Sequence, residues 1–189
     1  QIFRKKNEQG EAAAAIKYAA DNGAIICQNS WGYTSAANVT VMPRLLKESI
    51  DYFIKMAGCD ATGQQRADSP MKGGVVIFAA GNENKEFTAY PASYAPTISV
   101  SAMAWDLTKA SYSNYANWVT IKAPGGDQET FGNEGGVLST LPKVKAASGY
   151  GYLQGTSMAC PHVSGIAGLI ASYFGKQGFT NEELKARLI

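Results

Sequence analysis

The chain has 189 residues, with 17 Lys and Arg against 15 Asp and Glu, a formal net charge of +2. A balance this even excludes the one-signed charge clusters of a nucleic-acid footprint or a membrane-surface patch. With 46% hydrophobic and 17% charged residues the chain is not disordered over most of its length, and its longest apolar run, 75–80, is far below the ~20 residues of a membrane span.

The length corresponds to about one domain. The segment from Gln1 to Lys6 lacks the apolar stretch of a signal peptide. The other end, Leu188-Ile189, stops inside a predicted helix. The chain is therefore expected to be a piece of a longer protein. Its cysteines, Cys27, Cys59 and Cys160, form neither a disulfide framework nor a CxxC metal spacing and are read as free thiols.

Residues 11–18 are Ala-rich and favour helix. Gly23 stands where a left-handed cap belongs. A short apolar strand, 24–27, follows and runs into the polar loop 28–32. Leu46, Ile50, Phe53, Ile54 and Ala57 share one face of a 3.6-residue period, which predicts a helix over 43–57. Pro43 suits its first turn and Gly58 its stop. Residues 59–72 are polar and read as a loop. The run 75–80 shows no alternation, the mark of a parallel strand covered on both faces, and it ends in the loop 81–84. Further strands are predicted at 97–102, 119–123, 137–140 and 150–153. A helix over 156–174 carries Ala159, Ser164, Gly165, Ala167, Gly168 and Ala171. So many small side chains permit close approach of neighbours and predict a central position. Thr180 and Glu183 form a capping box that opens a last helix. Alternating helices and strands predict an α/β fold, a mostly parallel sheet with helices on both faces. In such sheets ligands bind at the carboxyl ends of strands, where the loops 28–32 and 81–84 lie.

Chemistry concentrates in the segment 153–165. Ser157 follows Gly155-Thr156 at the mouth of the small-residue helix. Helix N-termini present unpaired N–H groups and partial positive charge, a setting suited to a developing oxyanion beside a hydroxyl nucleophile. The same position also suits a helix-capping serine. The nucleophile elbow of α/β-hydrolases is excluded, because Ala159 stands where its second Gly belongs.

Gly155-Thr156-Ser157-Met158-Ala159-Cys160-Pro161-His162-Val163-Ser164-Gly165 closely resembles the nucleophile motif of the subtilases, the subtilisin-like serine proteases. Ala79-Ala80-Gly81-Asn82-Glu83 is similar to that family's oxyanion loop. Asn29-Ser30-Trp31-Gly32 is similar to the segment flanking its cleft. Tyr90-Pro91-Ala92 and Ala123-Pro124-Gly125 keep the family order. The resemblance runs from about residue 12 to the end. It implies that Ser157 attacks the scissile carbonyl, that the Asn82 amide and the Ser157 N–H hold the oxyanion, and that Thr156 supports them beside Gly155. It implies that Ser30, Trp31 and Gly32 pair with a polypeptide substrate as an added strand. Ala79, Ala80 and Gly81 would line the pocket before the cleaved bond. That pocket is small and apolar, with Glu83 near its rim, and points to broad or apolar selectivity. Asn82 also reads as a turn residue, and Trp31 as core filling.

A serine nucleophile needs a base and an orienting carboxylate. The one histidine, His162, follows Ser157 by five residues on the same helix, so the two side chains point ~140° apart. The resemblance makes His162 structural. It places the catalytic Asp and His ahead of Gln1, in a missing amino-terminal part of the same domain. The chain alone is then expected to be inactive and, with that part's contacts bare, to self-associate. Calcium is common in the family, through carbonyls near Ala92 and Tyr94. No carboxylate stands at the matching place near Thr120, so no tight calcium site and no cofactor are expected. The competing reading is a pseudoenzyme that binds peptides without cutting them. By family analogy the protein acts outside the cytoplasm.

Overall fold

The computed structural model describes residues 8–189. The segment from Gln1 to Lys6 lies outside the described residues. Four parallel strands form the central sheet in sequential order: β1 (Ile26–Asn29), β2 (Val75–Ala79), β3 (Ile98–Met103) and β4 (Ile121–Pro124). Helices α1 (Glu8–Asp21) and α2 (Arg44–Met56) cover one face. Helices α4 (Thr156–Phe174) and α5 (Asn181–Leu188) cover the other. A short helix, α3 (Gln128–Phe131), and an antiparallel ribbon, β5 (Val137–Thr140) with β6 (Tyr150–Leu153), lie between β4 and α4 in the chain.

Strand β2 explains its own sequence. Val75, Ile77 and Ala79 pack toward α4, and Val76 and Phe78 pack toward α1 and α2. All five residues are buried, so a side chain on either face must be apolar and alternation disappears. The α2 stripe predicted from its period is the buried one: Leu46, Ile50 and Phe53 sit in the α1-side core.

Several boundaries differ from the sequence reading. Strand β1 runs two residues later than 24–27. Its polar end stays in the ladder because the Asn29 amide donates to the Cys27 and Ile77 carbonyls, at 3.1 and 3.4 Å. Pro43 precedes α2 as its cap, with an extended ψ of 131°, and is not in the first turn. Helix α1 extends beyond 11–18 at both ends. Val119 belongs to a turn, its N–H bonded to the Ala116 carbonyl, so β4 starts at Ile121. Helix α3 and the 3₁₀ turns Ser35–Ala37 and Asn133–Gly135 show no hydrophobic period and were not anticipated. The capping box at Thr180 and Glu183 is present.

Helix α4 is central on one face only. Ala159, Cys160, Val163, Ala167 and Ala171 are buried against the sheet. Ile166, Leu169 and Tyr173 on the outer face are 50, 72 and 82% exposed. A Cβ built on Gly165 would meet nothing within 4 Å outside its own stretch of helix, so the small-residue signal mixes two faces that pack differently.

Gly74, just before β2, lets α2 reach the sheet. A Cβ there would stand 2.5 Å from a ring carbon of the fully buried Phe53 and 2.8 Å from the Ala57 Cβ. Gly74→Ala is expected to destabilise the chain by ~1–3 kcal/mol through overpacking. A lower denaturation midpoint with an unchanged slope checks this.

Candidate active site

The site gathers where β1 and β2 end and α4 begins. After β2 the chain turns at Gly81, whose φ of +99° favours glycine. A Cβ there would also strike the Asn114 amide at 2.4 Å. The turn sets Asn82 against Thr156, the first residue of α4. The Gly81 N–H donates to the Thr156 hydroxyl at 3.1 Å. That hydroxyl donates its own proton to Asn82 Oδ1 at 2.8 Å, and the Thr156 N–H donates to the same oxygen at 2.8 Å. With Oδ1 fixed toward the helix, the amide nitrogen faces away from it.

Asn82 Nδ2 and the Ser157 N–H flank one small space. A Cβ built on Gly155 would lie 3.6 Å from the first and 3.5 Å from the second. Gly155 has φ 148° and ψ 158°, a backbone conformation essentially reserved for glycine. Gly155 is the helix cap and Ser157 the second helical residue, so Ser157 is not a capping serine. As one of the first N–H groups of a helix, the Ser157 N–H has no carbonyl one turn behind it. Its hydroxyl lies 3.4 Å from the Ser30 carbonyl, its one hydrogen-bond partner among the described residues.

A cavity of about 310 Å³ opens beside these groups. Ser30, Trp31, Gly32, Ala79, Ala80, Gly81, Asn82, Thr156 and Ser157 all line it. Gly155 does not; it supports the turn from behind. Trp31 answers both readings of its side chain. Its ring sits edge-on to buried Phe78 at 5.4 Å and its N–H donates to Asn29 Oδ1 at 3.1 Å, yet the residue remains 38% exposed.

Sequence reasoning missed the residues that hold the Asn82 loop. Asn114 is fully buried. It accepts from the Glu83 and Lys85 N–H groups at 2.9 and 3.2 Å and donates to the Ala80 carbonyl and to Glu83 Oε2, both at 3.0 Å. The other Glu83 oxygen accepts from the Ser35 N–H at 2.7 Å, which ties the loops after β1 and β2 together. The Lys109 ammonium donates to Asn84 Oδ1 and to the Ala110 and Ser113 carbonyls, at 2.8, 3.1 and 3.2 Å. An asparagine in a polar loop gives no sequence signal of such a role.

His162 is exposed and its Nδ1 lies 2.8 Å from the Met158 carbonyl of its own helix, turned away from Ser157. The Ala92 and Tyr94 carbonyls both accept from one hydroxyl. Thr97 Oγ1 donates to the Ala92 and Tyr94 carbonyls at 3.2 and 2.8 Å. Among the described residues no group of three or more His, Cys, Asp or Glu could hold a metal ion.

A model of the subtilase family matches residues 4–189. The chain belongs to the subtilase family. It is 35% identical over 175 residues to the thermophilic serine proteinase of Bacillus sp. strain AK1, covering 93% of this chain and 34% of that protein. It is 33% identical over 176 residues to thermitase of Thermoactinomyces vulgaris, covering 93% and 49%. Among solved structures, a protease of Pseudoalteromonas arctica PAMC 21717 superposes with a TM-score of 0.67 at 29% identity, over 92% of this chain and 49% of that one. The chain thus spans about half or less of the length of these relatives. Serine protease chemistry is the function of the family.

The support of the Gly155 turn includes a tyrosine hydroxyl next to a buried carboxyl. The Gly155 N–H donates to the Gly125 carbonyl at 3.0 Å, and the Tyr112 hydroxyl contacts the Gly125 and Gly126 carbonyls at 2.9 and 2.7 Å. Burial pushes the Tyr112 hydroxyl up to about 12. The next residue, Asp127, is buried, which opposes its ionisation. The Ser111 and Thr130 N–H groups and the Ser111 hydroxyl outweigh that effect, and its carboxyl is held below the usual range. A depressed folded value stabilises the chain above the unfolded pKa of ~3.9 and is lost as pH falls through the folded one. Asp127→Asn is expected to flatten the fall in stability below pH ~4, measured as denaturation midpoints across the acid range.

Proposed function

We propose that this chain is the carboxyl-terminal portion of a subtilase catalytic domain, the part that carries the nucleophile and the oxyanion hole of a serine endopeptidase. The observation that carries the reading is that Asn82 Nδ2 and the Ser157 backbone nitrogen lie 3.6 and 3.5 Å from the one point that a Cβ on Gly155 would occupy, with Asn82 and Ser157 lining the same cavity. In this reading Ser157 Oγ attacks the peptide carbonyl as a base removes its proton. The carbonyl oxygen gains charge in the space between the two donors, where preorganised N–H groups stabilise it without rearrangement. Collapse expels the amine and leaves an acyl group on Ser157, which water then removes. Ser30, Trp31 and Gly32 pair with the substrate backbone, and Ala79, Ala80 and Gly81 wall the pocket for the preceding side chain.

The base comes from elsewhere. The single histidine of the sequence is turned onto its own helix. The histidine and aspartate are proposed to lie on the remainder of the catalytic domain, packed over the exposed Ile166, Leu169 and Tyr173 of α4. The chain alone is inert in this reading, and copies of it associate through that bare surface. The extracytoplasmic location implied by the resemblance is proposed on the same footing.

A fluorophosphonate probe tests the division of labour. General-base assistance is worth ~10²–10⁴-fold. Ser157 in this chain is therefore expected to stay unlabelled over the time in which the serine of an intact subtilase reacts to completion. Rapid stoichiometric labelling of the chain alone would mean that it holds its own base, and the proposal would fall.

A further inference from the structure

Helix α4 contains a proline four residues after Ser157. Proline has no N–H, so Pro161 cannot donate the regular helical bond to the Ser157 carbonyl. A buried carbonyl left without a donor is costly. This one receives its bond from outside the helix: Ser30 Oγ donates to the Ser157 carbonyl at 2.9 Å. Ser30 follows β1, 127 residues earlier in the chain. Its hydroxyl in turn accepts from the Gln28 side-chain amide at 2.6 Å. An incoming N–H on that oxygen directs its single proton toward Ser157.

We infer that Ser30 Oγ, oriented by Gln28, is a positioning residue that supplies the hydrogen bond Pro161 withholds and so pins the backbone of the nucleophile to the end of β1. The inference rests on Ser157 being the nucleophile. The role implied for Ser30 by the resemblance uses the backbone of its segment; this one uses its side chain. The pin has a geometric purpose. The Asn82 and Thr156 bonds fix the helix from the β2 side. Without the Ser30 bonds the start of α4 keeps to β1 the weaker link from the Cys160 thiol to the Asn29 carbonyl at 3.6 Å, and the Ser157 carbonyl has no donor. Ser30 links to it twice, through its Oγ on the Ser157 carbonyl and through its own carbonyl, 3.4 Å from Ser157 Oγ. The nucleophile is thus held between two adjacent strand ends. Pro161 keeps the Ser157 carbonyl out of the helical ladder, available to β1.

A double-mutant cycle on this chain tests the coupling. Ser30→Ala leaves the Ser157 carbonyl without a donor and is expected to lower the folding equilibrium constant ~5-fold, as for a typical net hydrogen bond. Pro161→Ala restores an N–H at the right place in the helix. In that background Ser30→Ala is expected to cost less than ~2-fold, because the carbonyl then has a second donor. The readout specific to positioning is the ¹³C resonance of the Ser157 carbonyl. It is expected to move upfield in Ser30→Ala, to return in Ser30→Ala/Pro161→Ala, and to stay in place in Ser30→Thr, which keeps the hydroxyl. Gln28→Ala, at an exposed side chain, is expected to shift it in the same direction as Ser30→Ala. Equal costs of Ser30→Ala in both backgrounds, or a Ser157 carbonyl resonance indifferent to Ser30, would overturn the inference. Should Ser30→Ala fail to fold, the Gln28→Ala and Ser30→Thr spectra decide on the same resonance. These readouts need no turnover, so the pin stands or falls on them and the nucleophile reading on the labelling of Ser157.

Discussion

The bonds from Thr156 to Asn82 Oδ1 are the contact from which the rest of the site follows. An asparagine side chain has one acceptor end and one donor end, and nothing in its own shape decides which faces the cleft. Thr156 decides it by giving Oδ1 a backbone N–H and a hydroxyl proton from the same residue. The Gly81 N–H settles the direction of that hydroxyl. Three groups from the β2 turn and the α4 terminus thereby specify one amide orientation. A methyl in place of the hydroxyl would leave the Thr156 backbone N–H as the one donor to Oδ1 from that residue.

Around that contact the fold works as two clamps on one helix end. The β2 clamp consists of Asn82, Thr156 and the Asn114 cradle beneath them. The β1 clamp is Ser30. Both strands are parallel neighbours, so their carboxyl ends emerge side by side. The α4 terminus spans the gap between them. The outer face of the same helix makes no comparable contacts: Ile166, Leu169 and Tyr173 remain exposed. One helix therefore presents a buried surface to the sheet and an exposed apolar one to its surroundings.

Much of this was legible in the sequence because it depends on pattern. The amphipathic stripe of α2, the unalternating run of β2 and the capping box of α5 each follow from a periodicity or a local bond, and each is where it was expected. The residues proposed to act, Ser157 and Asn82, came from the resemblance of their segments to subtilase motifs. Asn114, Lys109 and the link from Glu83 to Ser35 were illegible. Their meaning lies in which loops the fold brings together, and a lone polar residue in a loop carries no period. Strand β1 was placed two residues early for a related reason. Gln28 and Asn29 look like loop residues until their hydrogen-bond partners are known. The two faces of α4 were merged because small residues on a helix announce close packing without saying on which side.

The parallel sheet has a temporal consequence. Every ladder joins positions far apart in the chain, such as Ile26 with Val75 and Val100 with Ile121. Loop-closure entropy must be overcome before such pairings reward it, which slows assembly. The contacts that shape the neighbourhood of Ser157 also span long separations, 74 residues from Thr156 to Asn82 and 127 from Ser157 to Ser30. A chain emerging from the ribosome must extend past Ser157 before these groups can meet. Reactivity that depends on their meeting arrives late, after the rest of the molecule has taken the shape that contains it.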